Sequence, residues 1–227
     1  MNTAIIVAAG KSVRMGINMD KAFLSMGSKP VLAWSLLAFE QCVDIDQIIL
    51  VVRKDQLIAA KSVAQMFGIS KLRKIVPGGS RRQDSVLNGM KEMDPDTRIV
   101  VVHDAARPCV AGELISNVIK SAKRNGSGVA ACPVWDTVKY VERGTTVDHT
   151  VDRSKLWAVQ TPQAFNAALL TKAYQEVEAQ KAVVTDEASA IELIGEKVRL
   201  VEWRKPNLKI TTAEDLPIAA AMVELSY

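Results

Sequence analysis

Three short stretches concentrate glycine, cations and hydroxyl groups in a way that suits a polyphosphate. The first follows the apolar, β-branched run Ala4 to Ala8 and carries Gly10, Lys11, Arg14 and Lys21. Backbone N–H groups of a small loop, with fixed cations around it, share a polyanion's charge. An ordinary strand-to-helix turn bearing surface Lys and Arg has the same composition, and from these residues alone both readings stay open. Two familiar phosphate loops are excluded by spacing. Ile5 stands five residues before Gly10, so GxxxxGK[ST] is not formed; GxGxxG fails at Ser12 when Gly10 is its first glycine and at Val13 when Gly10 is its second.

The second stretch, Gly78-Gly79-Ser80-Arg81-Arg82-Gln83-Asp84-Ser85, offers close backbone approach, two guanidiniums and hydroxyls at a helix start. A loop with an N-cap accounts for the glycines and Ser80 but not for adjacent arginines. The third, His103-Asp104-Ala105-Ala106-Arg107-Pro108, sets an aspartate just past an apolar run. A carboxylate there commonly holds Mg²⁺ bridging phosphates. It could equally cap a helix or pair with Arg107.

The elements that must position these stretches read as alternating strands and helices. Ala4 to Ala8, Asp46 to Val52, Leu72 to Val76, Ile99 to Val102 and Val129 to Val134 are the strands. Between them, helices are predicted at Val31 to Phe39 behind Pro30, Lys54 to Phe67 before Gly68, Arg82 to Met93 before Pro95, and Glu113 to Lys123. That alternation predicts an α/β fold with a doubly wound, mostly parallel, Rossmann-like sheet. Ligands of such sheets sit beyond the carboxyl ends of the strands, so the three stretches should line one crevice.

Beyond the fifth strand the pattern changes. Asp136 to Val141 and Thr146 to Val151 are polar, β-branched segments around Glu142 to Thr145, and they read as a hairpin projecting from the sheet. An isolated hairpin is marginal in water, so it needs a partner surface. Residues 155–160 receive no assignment. Helices follow at Asn166 to Ala179 and Asp186 to Ile194, then a strand at Val198 to Trp203 and a final helix capped by Thr212. We read residues 1–227 as one domain with 136–151 as its arm.

Composition narrows the function classes. The 227 residues are 48% hydrophobic, enough for one large domain, and 29 basic against 25 acidic side chains leave a net charge of only +4. That is no nucleic-acid footprint. No apolar run is long enough to span a membrane, and the start lacks the basic region of a signal peptide. Cys42, Cys109 and Cys132 are widely spaced, without CxxC, and read as reduced core residues of a cytoplasmic protein.

The first loop resembles A-A-G-x-x-x-R-M…K, the signature of nucleotidyltransferases that transfer a nucleoside monophosphate. HDAARP, GGxxRxxSVxNG, Asp136 to Lys139, Asp152-Arg153, QTPQxF at Gln160 to Phe165, TDEAS at Thr185 to Ser189 and NLKITTAEDL at Asn207 to Leu216 extend the likeness along the chain. In that order they resemble the 2-C-methyl-D-erythritol 4-phosphate cytidylyltransferase family. Ser12, Asp20 and Ala22 depart from the family's usual first loop.

The resemblance implies a Mg²⁺-assisted transfer of CMP from CTP to a polyol phosphate, 2-C-methyl-D-erythritol 4-phosphate, with release of pyrophosphate. On matched positions it implies that Arg14 and Lys21 stabilise the transition state. Ala8, Ala9, Gly10, Gly79 and Ser85 would hold the triphosphate and read the base, Arg82 would support that loop, and Asp104 would serve the metal. Thr137, Arg153, Thr161, Thr185 and Lys209 would grip the acceptor, with Arg153 and Lys209 orienting the nucleophile. For Lys209, otherwise a surface lysine, and Thr161, otherwise a turn residue, the resemblance alone carries the assignment. It also implies a homodimer through the arm, in which Thr137 and Arg153 serve the partner's site.

Two other functions fit parts of the pattern. A cytidylyltransferase for ribitol 5-phosphate would use the same scaffold, though its first loop more often reads A-G-G. A regulatory module that binds nucleotide without turnover would have no need of a second cationic cluster for an acceptor.

Overall fold

The computed structural model describes residues 1–10 and 20–224. In chain order its elements are β1 (Asn2–Ala8), β2 (Ser25–Met26), β3 (Lys29–Pro30), α1 (Val31–Gln41), β4 (Gln47–Val52), α2 (Leu57–Met66), β5 (Leu72–Pro77) and α3 (Arg82–Met90). They continue with β6 (Ile99–Asp104), α4 (Gly112–Asn125), β7 (Ser127–Pro133), β8 (Lys139–Tyr140), β9 (His149–Thr150), β10 (Trp157–Asn166), α5 (Ala167–Ala179), α6 (Glu187–Leu193), β11 (Leu200–Glu202) and α7 (Asp215–Glu224).

The main sheet has seven strands in the order β11-β7-β10-β6-β1-β4-β5. β1 pairs in parallel with both β4 and β6, from Ile5 opposite Ile49 on one side to Ile5 opposite Val102 on the other. Both faces of β1 are covered because its side chains alternate. Ala4, Ile6 and Ala8 pack with Leu36 and Phe39 of α1, Ala60 of α2 and Leu114 and Val118 of α4. Ile5 and Val7 pack with Val86 and Met90 of α3, Tyr174 of α5 and Ile191 of α6. A strand buried on both sides reads as an unbroken apolar run, and this one does.

The doubly wound sheet matches expectation, with one strand added. β10 lies antiparallel between β6 and β7, covering residues 155–160 in part and running on to Asn166. Its register shifts between Val159 and Gln163, around the cis Thr161–Pro162 bond. Proline cannot donate to a ladder, so a central strand tolerates it only at such an irregularity. The same proline made the segment read as a turn.

Several element ends also move. α3 stops at Met90 rather than Met93, α6 covers Glu187–Leu193, and β11 is only Leu200–Glu202. The last helix begins at Asp215, inside the expected span. The Asp215 carboxylate accepts from the Thr211 and Thr212 amides at 2.7 and 2.9 Å, which ties the residues ahead of the helix to its first turn.

The hairpin is shorter than its sequence span. Lys139 pairs with Thr150 and Tyr140 with His149, and the Tyr140 and His149 rings stack at 5.0 Å. Trp135, Tyr140 and Val147 are exposed around it, an apolar surface uncovered within one chain. Of the cysteines only Cys42 is buried; Cys109 and Cys132 are half-buried, and none is in a disulfide. Among the described residues no helix is long and apolar enough to cross a membrane.

Candidate active site

The carboxyl ends of β1, β5 and β6 bring the second and third stretches together with the described residues of the first. Ala8 is buried at the end of β1, Ala9 half-buried and Gly10 exposed. A Cβ placed on Gly78 would stand 2.2 Å from the Ala9 Cβ and 2.8 Å from the Ser85 Oγ, so only glycine lets these loops touch. The Gly79 amide donates to Ser85 Oγ at 3.1 Å, and that hydroxyl donates to the Arg81 carbonyl at 3.1 Å. Asp84 accepts from the Arg81 amide and from Ser80 Oγ, and closes an ion pair with the Arg81 guanidinium at 2.7 Å. That guanidinium, then burial opposed by Ser80 and the backbone, brings the Asp84 carboxyl to about 2.

The neighbouring arginine turns inward. Arg82 Nε donates to Asp104 Oδ1 at 2.9 Å, while its Nη1 and Nη2 donate to the two oxygens of Glu187 at 2.8 and 3.0 Å. Glu187 is fully buried and also accepts from the Tyr174 hydroxyl at 3.1 Å. The other oxygen of Asp104 accepts from Lys209 Nζ at 2.6 Å. Two carboxylates and two cations therefore form one neutral chain: Glu187, Arg82, Asp104, Lys209.

Burial opposes charge on Asp104 and on Arg82, and the partners decide the outcome. For Asp104, desolvation is outweighed by Arg82 and Lys209, which hold its carboxyl well below the usual range. Desolvation of Arg82 is likewise outweighed by Glu187 and Asp104, so it is firmly cationic. Burial and the Glu187 charge together push the Tyr174 phenol far above its ordinary value.

A hydrogen-bond relay fixes Asp104 from behind. Its amide donates to Thr161 Oγ1 at 3.0 Å, and Thr161 Oγ1 lies 3.2 Å from His103 Nδ1. His103 Nε2 lies 3.2 Å from the Arg107 carbonyl, which can only accept. The ring must therefore carry its proton on Nε2 and accept from Thr161 on Nδ1. A fully buried imidazole in this role stays neutral, and burial pulls its pKa down to about 3.

The segment bearing Lys209 is clamped on both sides. Arg107 Nη1 donates to the Asn207 carbonyl at 2.7 Å, Asn207 Nδ2 donates to Gln160 Oε1 and the Thr161 carbonyl, and the Ile210 amide donates to the Ala106 carbonyl at 2.8 Å. Lys21 reaches the same segment, its Nζ donating to the Ile210 carbonyl at 3.0 Å. Lys21 and Lys209 thus approach one strand end from separate parts of the chain.

The structure accordingly gathers Ala8, Ala9, Gly10, Lys21, Gly79, Arg82, Ser85, Asp104, Thr161 and Lys209. Arg14 lies outside the described residues. Thr137, Arg153 and Thr185 are exposed. Arg153 Nη1 donates to the Trp135 carbonyl, which keeps the guanidinium at the base of the arm. Thr185 stands just before α6, its amide on Ser189 Oγ at 3.2 Å. Thr161 is only 4% exposed and its hydroxyl is engaged on both sides, so here it supports Asp104 instead of facing a ligand.

Sequence reasoning assigned no individual role to Glu187, His103 or Asn207, although all lie in the motifs quoted for the resemblance. It offered Arg107 only as a partner for Asp104, whereas Arg107 donates to the Asn207 carbonyl. The available signal was a carboxylate flanked by the apolar positions Ala188, Ala190 and Ile191, which are buried. Concavity gives no pointer either. The apolar groove between α2 and β5, lined by Leu57, Ile58, Ile69 and Ile75, holds none of these groups.

His103 makes stability depend on pH with a definite sign. Its folded pKa is depressed, so the unfolded chain takes up a proton first, below about 6.5, and stability falls as pH falls toward 3. Asp104 adds a loss in the same direction only below about 4. Between pH 6.5 and 4.5 the His103 contribution should shrink by about 2–3 kcal/mol. Urea unfolding at the two pH values should show this loss in the wild type and a shallower one in His103→Gln. An unchanged slope in the variant would contradict a neutral buried imidazole.

A family model described as 2-C-methyl-D-erythritol 4-phosphate cytidylyltransferase matches residues 2–225. Curated proteins of that name from Desulforamulus reducens and Alkaliphilus metalliredigens are 41% and 40% identical over 222 residues, covering 97% of this chain and 95% and 92% of the relatives. The crystal structure of 4-diphosphocytidyl-2C-methyl-D-erythritol synthase from Anaerococcus prevotii superposes with a TM-score of 0.86 at 33% identity, over 98% of this chain and 96% of that one. A nucleotidyltransferase sheet, a cationic crevice at its carboxyl edge and a match over nearly the whole length lead to one conclusion: the chain belongs to the 2-C-methyl-D-erythritol 4-phosphate cytidylyltransferase family.

Proposed function

We propose that the chain transfers CMP from CTP to 2-C-methyl-D-erythritol 4-phosphate, forming 4-diphosphocytidyl-2-C-methyl-D-erythritol and pyrophosphate. The observation that carries this reading is the approach of Lys209 to Asp104 and of Lys21 to the adjoining Ile210 carbonyl, with Arg82, from the helix behind the Gly78 and Gly79 loop, on the same aspartate. An oxygen of the acceptor phosphate attacks the α-phosphorus of CTP in line. The bond from that phosphorus to the bridging oxygen breaks, and its electrons leave with pyrophosphate. No covalent bond to the enzyme is required, so the chain acts by positioning and charge stabilisation.

In this reading the backbone of Ala8 to Gly10 and of Gly79, with Ser85, cradles the nucleotide. Lys21 and, on the family resemblance, Arg14 would stabilise the charge that grows on the reacting phosphate, and Lys209 turns from Asp104 to the acceptor phosphate. The described residues hold no group of three or more carboxylate, imidazole or thiol side chains suited to a metal. That suits Mg²⁺ carried mainly on phosphate oxygens, with Asp104 as its one protein carboxylate. The ion would neutralise triphosphate charge. The uncovered arm suits a homodimer, with Thr137, Arg153 and Thr185 completing the acceptor site. Three cysteines outside any disulfide accord with a cytoplasmic enzyme.

Acceptor choice must come from hydroxyl contacts, because every candidate acceptor carries the same phosphate. A site that pairs hydroxyls rejects a mismatched polyol more strongly than one that measures size. Pyrophosphate release from CTP should therefore show a kcat/KM for methylerythritol phosphate well above that for ribitol 5-phosphate. Comparable or reversed values would make the ribitol enzyme the better reading.

Lys21→Ala tests the transition-state role separately. Losing one preorganised donor costs on the order of 10²–10³ in turnover. We expect that drop in kcat with an unchanged circular dichroism spectrum. A kcat near the wild-type value would remove Lys21 from the mechanism.

A further inference from the structure

We propose that Glu187 is a positioning residue for this transfer, acting through Arg82 on Asp104 and joining the acceptor side of the site to the nucleotide side. The inference rests on the proposed transfer. Glu187 opens α6 but does not cap it, since Asp186 accepts the Ser189 amide at 2.9 Å. A carboxylate in the first turn of a helix needs no burial to gain from the helix dipole, yet Glu187 is fully buried. Desolvating a carboxylate is costly, and a well-packed apolar residue would commonly serve stability as well or better. What the buried charge supplies is control of Arg82.

That control is geometric and electrostatic. Three donors of Arg82 are engaged, two by Glu187 and one by Asp104. The fork fixes the guanidinium plane, and the plane fixes where Asp104 Oδ1 is held. With Glu187 ionised the four-member chain is neutral, and Asp104 divides its charge between Arg82 and Lys209. Without the Glu187 charge, Arg82 keeps only Asp104 as counter-ion and competes with Lys209 for it.

The same region rivets two loops. Gln83, next to Arg82, accepts from the Val184 amide at 3.0 Å and donates to the Ala182 carbonyl at 2.9 Å. Gln163 accepts from the Ala188 amide at 3.1 Å and donates to Asp186 at 2.9 Å. Thr185 lies between these anchors. The start of α3, which carries the nucleotide loop, and the start of α6, which follows Thr185, therefore share their supports.

The test is a double-mutant cycle read by steady-state pyrophosphate release. Glu187→Gln keeps the shape and removes the charge. It should lower kcat by about tenfold or more while the KM for CTP changes by less than about threefold, and Glu187→Asp should recover most of the loss. In an Asp104→Asn background the same change should cost nothing further, because the path to the reaction is already cut. Tyr174→Phe, which removes one hydrogen bond to Glu187 and leaves the ion pair, should give a smaller loss that also vanishes in that background. It stands in if Glu187→Gln does not fold by circular dichroism. A folded Glu187→Gln or Tyr174→Phe enzyme with wild-type kcat, or losses that multiply with Asp104→Asn, would overturn the proposal. Absence of turnover in the wild type would instead overturn the transfer reading and this one with it.

Discussion

The guanidinium of Arg82, held between the Glu187 and Asp104 carboxylates, is the constraint on which the rest of the site depends. Charges taken out of water persist only when each finds partners of good geometry. Here the partners come from α3, α6, the end of β6 and the segment around Lys209. Distant parts of the chain are thus required to meet at one strand end. The sheet makes that possible by ending β6 beside β1, with β5 one strand further out beyond β4, and apolar layers on both faces keep the strands in place.

Neutral groups finish what the charges begin. His103 donates to one carbonyl and accepts from Thr161, whose oxygen in turn receives the Asp104 amide. Each bond in that relay has only one sensible direction, so the aspartate is aimed as well as held. Glycine acts in the same sense at Gly78, where a methyl group would separate the loops that carry Ala9 and Ser85. The inserted antiparallel strand β10 matters for the same reason. Its irregularity at Thr161–Pro162 brings the hydroxyl under Asp104 and lets Gln163 reach α6.

Much of this frame was legible in the sequence because it follows from burial. β1, β4, β6 and β7 are covered on both faces and read as unbroken apolar runs; α4 shows its inward face through Leu114, Ile115, Val118 and Ile119, all buried. The convergence of three loops followed from the parallel topology alone. β10 was hidden because Pro162 and the polar residues around it carry the marks of a turn. Glu187 was hidden for a different reason: a carboxylate at a helix start is ordinary, and only its apolar neighbours Ala188, Ala190 and Ile191 mark the inward turn. Lys209 became legible only through the resemblance, and the structure supplies the physical reason for its place in the Asp104 pair.

The central claim is that Asp104 sits as a committed anion between two cations, and its carboxyl can be observed directly. In protein labelled with ¹³C at aspartate carboxyls, the Asp104 resonance should stay flat from pH 7 down to 4, since Arg82 and Lys209 hold its pKa well below the ordinary range. A titration step beginning near pH 5, as in an unpaired aspartate of pKa about 4, would contradict the account.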